Sequence, residues 1–159
     1  MFQRDHIMRQ VRQLAAALAR AIQLRRAGQI GEAEELVRGT LKQSVELDVV
    51  TLLTLPLDQV LDEIRARGAM HGDLLVGVAD ALYEYALLQG TQESGLGDAA
   101  RQRAIEIYVE CIRANYPVPL HAMERVGTDE SVGSPSDSVP NPSAVPNPDM
   151  TSIRGDGDE

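Results

Sequence analysis

The sequence predicts an all-α fold, a compact bundle of about five helices followed by a disordered C-terminal tail. Apolar residues recur at the three- and four-residue spacing of amphipathic helices through residues 5–115. No segment keeps the apolar/polar alternation of a half-buried strand, so no sheet is expected. The composition changes near residue 127, where proline and serine become frequent. We therefore expect a helical domain over residues 1–126 and a tail over residues 127–159.

The first helix is predicted over residues 5–27. Alanine is frequent in it and favours helix formation, and Gly28 is a suitable left-handed residue to end it. Its expected inward face is Ile7, Val11, Leu14, Leu18 and Ile22.

The second helix is predicted over residues 30–46, with glutamates in its first turns, where the helix dipole favours negative charge. Its expected inward residues are Ala33, Leu36, Val37, Leu41 and Val45. An apolar link over residues 47–55 is expected to lie across the core. A short third helix follows over residues 56–67, with Pro56 at its first position and Gly68 at its end.

The fourth helix is predicted over residues 73–89, with Asp73 as its N-cap. Its expected inward residues are Leu74, Leu75, Val78, Leu82, Tyr85 and Leu88. A loop follows, and the fifth helix is predicted over residues 98–115, capped by Asp98 and stopped before Tyr116-Pro117. Its inward stripe is Ala104, Ile107, Tyr108 and Cys111. A last turn is expected near residues 120–125.

The tail over residues 127–159 has one basic residue against seven acidic residues and five of the eight prolines. Such a segment cannot bury enough apolar surface to offset the entropy lost on ordering, so disorder is expected. It contains the tetrapeptide VPNP twice, over residues 139–142 and 145–148. These repeats are typical either of a solubilising tail or of a short extended ligand for an aromatic groove.

The helical pattern resembles that of tetratricopeptide-type hairpins. Ala21, Gly28, Ala33 and Val37 roughly follow the order of small and bulky residues in such a repeat, although Thr40 stands where a small apolar residue is usual. In the later hairpin Ala104, Tyr108 and Cys111 match, whereas the turn after Gly90 is too long. The resemblance implies antiparallel helical hairpins packed in the manner of the repeat, without a true solenoid.

The N-terminus begins Met-Phe-Gln-Arg-Asp and continues into a long helix and a Gly-turn helix. In this it resembles an uncharacterised bacterial family of small all-helical proteins, most closely over residues 1–48 and more vaguely to about residue 117. The resemblance implies a helical fold and supplies no activity, ligand or catalytic residue.

The formal net charge is −9, which disfavours nucleic acid and anionic membranes as partners. A single cysteine, Cys111, excludes a disulfide within the chain and suits a reducing compartment. The longest apolar-rich stretch, residues 49–57, is interrupted and far shorter than the ~20 residues of a membrane helix. We therefore expect a soluble cytoplasmic protein.

The sequence predicts no catalytic, cofactor-binding or metal-binding site. His6, His71 and His121 have no metal-ligand spacing, and His71 reads as a turn residue two positions before the Asp73 cap. Cys111, at an inward position, reads as a buried inert thiol rather than a nucleophile.

Charge placement supplies the candidate binding residues. The first helix carries six arginines against Asp5 alone, and Arg9, Arg12 and Arg20 fall along one stripe. On the fourth helix Asp73, Asp80 and Glu84 also fall along one stripe. These six residues are the predicted partner-binding set. The stripes could pair within the chain, between two copies or with an outside partner, or could simply be two solvated faces.

The first functional hypothesis is a non-catalytic helical interaction module that binds a protein or peptide, or a second copy of itself as a homodimer. The alternative is a small-ligand carrier or enzyme with a pocket inside the bundle around Tyr83, Tyr85, Tyr108 and His71. In a further hypothesis, the acidic tail folds back over the first helix and masks a binding face.

Overall fold

A computed structural model describes residues 2–67, 71–90 and 94–132, and it confirms the all-α bundle. The described residues contain seven helices and no strand. The helices are α1 (Phe2–Arg26), α2 (Ile30–Val45), α3 (Val49–Thr54), α4 (Leu57–Ala66), α5 (Gly72–Gln89), α6 (Leu96–Arg113) and α7 (Leu120–Val132). The predicted helix stop at Gly68 and most of the predicted tail, including both VPNP repeats, lie outside the described residues.

Helices α1 and α2 form an antiparallel hairpin that turns at Gly28. Gly28 has φ +81°, a conformation that costs glycine little, and the N–H of Gln29 donates to the carbonyl of Leu24 at 2.8 Å. Of the five predicted inward residues of α2, all but the half-buried Leu36 are buried. The Gly turn and the apolar spacing together therefore determine this hairpin.

Helix α5 lies at the centre of the bundle and contacts α1, α2 and α6. All six of its predicted inward residues are buried, and so are the four of α6. Helices α3 and α4 pack against α6 on one side, and α7 packs against it as well. The core is thus built around the α5/α6 pair.

Helices α1 and α5 run in the same direction and approach closely at Gly77. A Cβ placed on Gly77 would lie 2.8 Å from Cδ2 of Leu14, so α1 rests on the bare backbone of α5 there. Arg25, eleven residues after Leu14 on α1, pairs with Glu84, seven residues after Gly77 on α5. The first helices of the two hairpins, α1 and α5, are therefore neighbours, and α2 contacts both of them.

The apolar link after α2 forms a helix of its own, α3, which the sequence pattern did not predict. Asp48 caps it, because its Oδ1 accepts a hydrogen bond from the Thr51 N–H at 2.8 Å. This hydrogen bond lowers the pKa of the Asp48 carboxyl. Val49 and Leu52 are buried, so the link covers the core as expected.

Two predicted caps are wrong, one by two residues and the other by three. Helix α5 begins at Gly72, and its cap is His71, whose Nδ1 accepts from the Asp73 N–H at 3.2 Å. Helix α6 begins at Leu96 after Gly95, which has φ +70° and lets the chain turn into the helix earlier. Asp73 and Asp98 therefore lie in first turns, where the dipole still favours a carboxylate.

The C-terminal turn expected near residues 120–125 is the 13-residue helix α7, which passes the predicted domain boundary at residue 126. Ala122 of α7 is fully buried, and Val126 packs against the core. Both contacts lie before the composition change near residue 127, whereas the helix itself continues to Val132. Among the described helices, none has both the length and the apolarity required to cross a bilayer.

Candidate functional site

A groove runs between α1 and α5 and is also lined by the segment that leads into α7. Its volume is about 610 Å³. The α7 end is formed by Pro117, Val118 and Pro119. The α5 wall is formed by Asp73, Val76, Gly77 and Asp80. A space of this size and lining is typical of a site for an apolar ligand or side chains of a partner.

The other wall of the groove is an apolar strip on α1. Val11, Leu18 and Ile22, which the sequence placed in the core, are only half-buried, and they line the groove together with exposed Ala15 and Ala19. Of the five predicted inward residues, Ile7 and Leu14 are buried in the core, which also takes Ala21 and Leu24. The apolar face of α1 is therefore wider than its contact with the bundle, and the excess faces the groove.

Of the six arginines of α1, one forms an ion pair within the described residues and five do not. Arg25 pairs with Glu84 on α5. The other five are exposed and make no hydrogen bond or ion pair with another residue in the described part of the chain. These are Arg4, Arg9, Arg12, Arg20 and Arg26. The predicted Arg9–Arg12–Arg20 stripe is thus available at the surface.

The predicted acidic stripe on α5 does not form one surface. Asp73 is exposed, whereas Glu84 is only 4 % exposed and its carboxylate receives both Nε and Nη2 of Arg25. Asp80 is half-buried in a cluster of its own. Glu84 and Asp80 are therefore paired with other side chains of the fold. Of the three, only Asp73 presents to the groove a carboxylate that is unpaired within the described residues.

Asp80 joins α5 to both α6 and α7. The Tyr108 hydroxyl donates to Asp80 Oδ1, which also contacts His121 Nε2 at 2.8 Å and Arg125 Nη1 at 3.2 Å. Arg125 Nη1 donates to the Tyr108 hydroxyl oxygen at 2.7 Å, and its guanidinium carbon lies 4.0 Å from the centre of the Tyr83 ring. Burial, and then the negative charge of Asp80, raise the pKa of Tyr108, so the phenol stays a donor.

This Asp80 cluster, formed by Asp80, Tyr108, His121 and Arg125, borders the groove through Asp80 alone. The sequence did not reveal it, because its members belong to three helices. The only local signal is the four-residue spacing of His121 and Arg125, which places them on one face of α7.

The tyrosines and His71 that were grouped as a predicted pocket do not share one. Tyr85 is fully buried, and its hydroxyl accepts from Arg38 Nη2 at 2.9 Å. Tyr108 belongs to the Asp80 cluster, and His71 caps α5. Tyr83 lies under Arg125, and none of the four lines the groove.

Cys111 lies fully buried on α6. Burial, with a smaller contribution from the charge of Glu110, raises the pKa of its thiol to about 11. Since the thiolate is the reactive form, this environment disfavours nucleophilic chemistry.

We expect native Cys111 to react with a thiol reagent at about pH 8 at least tenfold more slowly than in denaturant. Because its folded pKa lies above the unfolded value of 9.0, its ionisation opposes folding. The free energy of unfolding should therefore fall as the pH rises from about 9 towards 11. Colorimetric labelling with and without urea measures the rates, and equal rates would contradict the burial.

No described group of three His, Cys, Asp or Glu side chains is placed to hold a metal ion. Comparisons of the chain with protein-family models, curated proteins and solved structures found no match. The groove and its charges are consequently the features on which a functional proposal can rest.

Proposed function

We propose that this chain is a non-catalytic helical interaction module that binds a segment of a protein in the groove between α1 and α5. The observation that carries the proposal is the apolar strip of Val11, Leu18 and Ile22, which stays partly exposed along the groove although Val11 and Leu18 also pack against the core. Amphipathic helices commonly bind by laying an apolar face into such a groove. The acidic net charge favours a protein over nucleic acid or a membrane as the partner.

The arrangement of the hairpins supports the likeness to tetratricopeptide-type packing as part of this proposal. The first helices of the two hairpins, α1 and α5, are neighbours that run in the same direction, and α2 packs against both. The small residues that match the repeat, Ala33, Ala104 and Cys111, are all fully buried. We also propose that the chain belongs to the bacterial family that residues 1–48 resemble, and that it is cytoplasmic.

Peptides of about 20 residues selected from a random displayed library on the full-length chain should bind in the groove. Replacing Ala15 and Ala19 with glutamine puts two uncharged polar side chains into the apolar strip. We expect this variant to weaken peptide binding about tenfold, because the partner's apolar face would meet polar groups. Fluorescence anisotropy with labelled peptides measures the dissociation constant.

A matched control replaces Ala16 and Ala27 with glutamine, since both are exposed and outside the groove. It should leave the dissociation constant within about twofold of the parent value. A library that yields no binder, or binders that both variants weaken equally, would contradict the proposal.

The alternative, a small-ligand protein or enzyme, is favoured by one observation. Asp80, paired with His121 at 2.8 Å, lies at the edge of the groove, and such titratable pairs beside a cavity recur in catalytic sites. A thermal-shift screen with metabolites tests it, because a ligand at 100 times its dissociation constant should add about 2.7 kcal/mol of stability. A hit that the Ala15/Ala19 glutamine variant abolishes would favour this alternative over the interaction module.

A further inference from the structure

We infer that the groove selects an acidic, amphipathic helical segment of another protein, an inference that rests on the proposed function. The first support is the placement of charge along α1. Arg4 and Arg26 follow the same helical face as Val11, Leu18 and Ile22, one before the strip and one after it. Arg12 lies beside the strip, next in sequence to Val11. An apolar strip bordered by cations at both ends matches an apolar helix face bordered by carboxylates.

The second support is that the fold does not use these cations. Arg25 alone among the six arginines of α1 is paired within the described residues, although the chain as a whole carries a net charge of −9. Three of the five exposed arginines, Arg4, Arg12 and Arg26, lie along or beside the strip and place positive potential there on an otherwise acidic protein. Such a local excess attracts an anionic partner and raises its association rate.

The opposite wall sets the orientation of the occupant. Asp80 is already paired with Arg125 and contacts His121, whereas Asp73 remains exposed at the start of α5. The acidic edge of the occupant therefore faces α1, and the edge facing Asp73 is neutral or basic. From Arg4 to Arg26 the helix extends about 33 Å, which corresponds to a partner helix of about 20 residues.

Charge argues against a symmetric pair of chains at this face. An isologous contact through α1 would bring together two sets of five exposed arginines, with one Asp5 from each copy. The chain's own residues 133–159 are acidic, with five acidic residues against Arg154. Their apolar residues, however, lack the three- and four-residue spacing of an amphipathic helix. A separate protein is therefore the occupant that the charges and the spacing favour.

Three synthetic peptides of about 20 residues test the inference against the full-length chain. They share leucines at helical spacing and carry glutamate, glutamine or lysine at the remaining positions. We expect the glutamate peptide to bind about tenfold more tightly than the glutamine peptide at about 50 mM salt, and the lysine peptide to bind most weakly. At about 500 mM salt the difference should shrink to about twofold, because salt screens exposed charges.

Charge-reversal variants of α1 test which arginines cause the preference for the glutamate peptide. Arg12→Glu with Arg26→Glu should weaken the glutamate peptide about tenfold and leave the glutamine peptide within about twofold. The matched control, Arg9→Glu with Arg20→Glu, changes the net charge equally on the side of α1 away from the strip. It should weaken the glutamate peptide by about twofold at most.

Equal binding of all three peptides, lost in the Ala15/Ala19 glutamine variant, would overturn the acidic partner and leave the interaction groove standing. Failure of every peptide, including those from the displayed library, would overturn both. Tighter binding of a synthetic peptide of residues 133–159 than of the glutamate peptide would overturn the assignment to a separate protein. Equal losses in the two arginine variants would show that net charge, not the groove, governs binding.

Discussion

Replacing Arg25 with methionine is expected to lower the free energy of unfolding by about 3 kcal/mol, which corresponds to roughly 10 °C in Tm. Glu84 is 4 % exposed on the central helix α5, and the Arg25 guanidinium is the cation that meets its carboxylate. Without Arg25 a carboxylate remains buried with no compensating charge, which is the costly case for a buried ion pair. Urea denaturation followed by circular dichroism measures the change.

Two controls separate loss of charge compensation from loss of packing. The double variant Arg25→Met with Glu84→Leu removes both charges and should return to within about 1 kcal/mol of the parent. Arg65→Met removes a cation from the exposed pair with Asp62 and should cost less than about 0.5 kcal/mol. A cost for Arg25→Met no larger than that for Arg65→Met would show that Glu84 does not depend on its partner.

Replacing Asp80 with alanine is expected to cost about 2–3 kcal/mol and to loosen α7 selectively. The variant leaves the hydroxyl of Tyr108, which is fully buried, without its acceptor. It also leaves His121 and Arg125 without the carboxylate that holds α7 against α5. Hydrogen exchange should therefore show faster exchange of the α7 amides, while α1 and α2 keep their protection.

The control for the Asp80 cluster is Asp80→Asn, which keeps an acceptor oxygen and removes the charge. It should cost about 1 kcal/mol, less than alanine, because the amide can still accept the Tyr108 hydrogen bond. Unchanged exchange in α7 of the alanine variant would mean that the apolar contacts of Ala122 and Val126 alone hold that helix.

Several elements were predictable from local patterns. Every residue predicted to face inward on α5 and α6 is buried, because helical spacing marks the face that packs on the core. The fold also buries residues that were not predicted, among them Val76, Ala81 and Ile105. Gly28 marked the first hairpin turn, because glycine readily adopts the positive φ needed there. Helix α3 was not predicted, because six residues are too few for periodicity to identify a helix. Its Asp48 cap was nevertheless a local signal of a helix start.

The candidate site depended on long-range packing that no local pattern reports. Arg25 and Glu84 are 59 positions apart, and Asp80 is 41 positions from His121. Their meeting requires particular distances and angles between helices, which periodicity does not specify. The acidic stripe predicted on α5 therefore does not form one surface. Asp73 is exposed, whereas Asp80 and Glu84 pair with residues of other helices.

The sequence by itself determined that this protein is helical, which faces of α5 and α6 turn inward, and that α1 carries an excess of positive charge. Each of these properties follows from residues close together in the chain. Only the tertiary structure decided how much of the apolar face of α1 is core. Because Gly77 admits Leu14 against the α5 backbone, α1 packs through Ile7, Leu14, Ala21 and Leu24. That choice of contact leaves Val11, Leu18 and Ile22 along an open groove. Arg4 and Arg26 lie at the two ends of this strip, and Arg12 lies beside it.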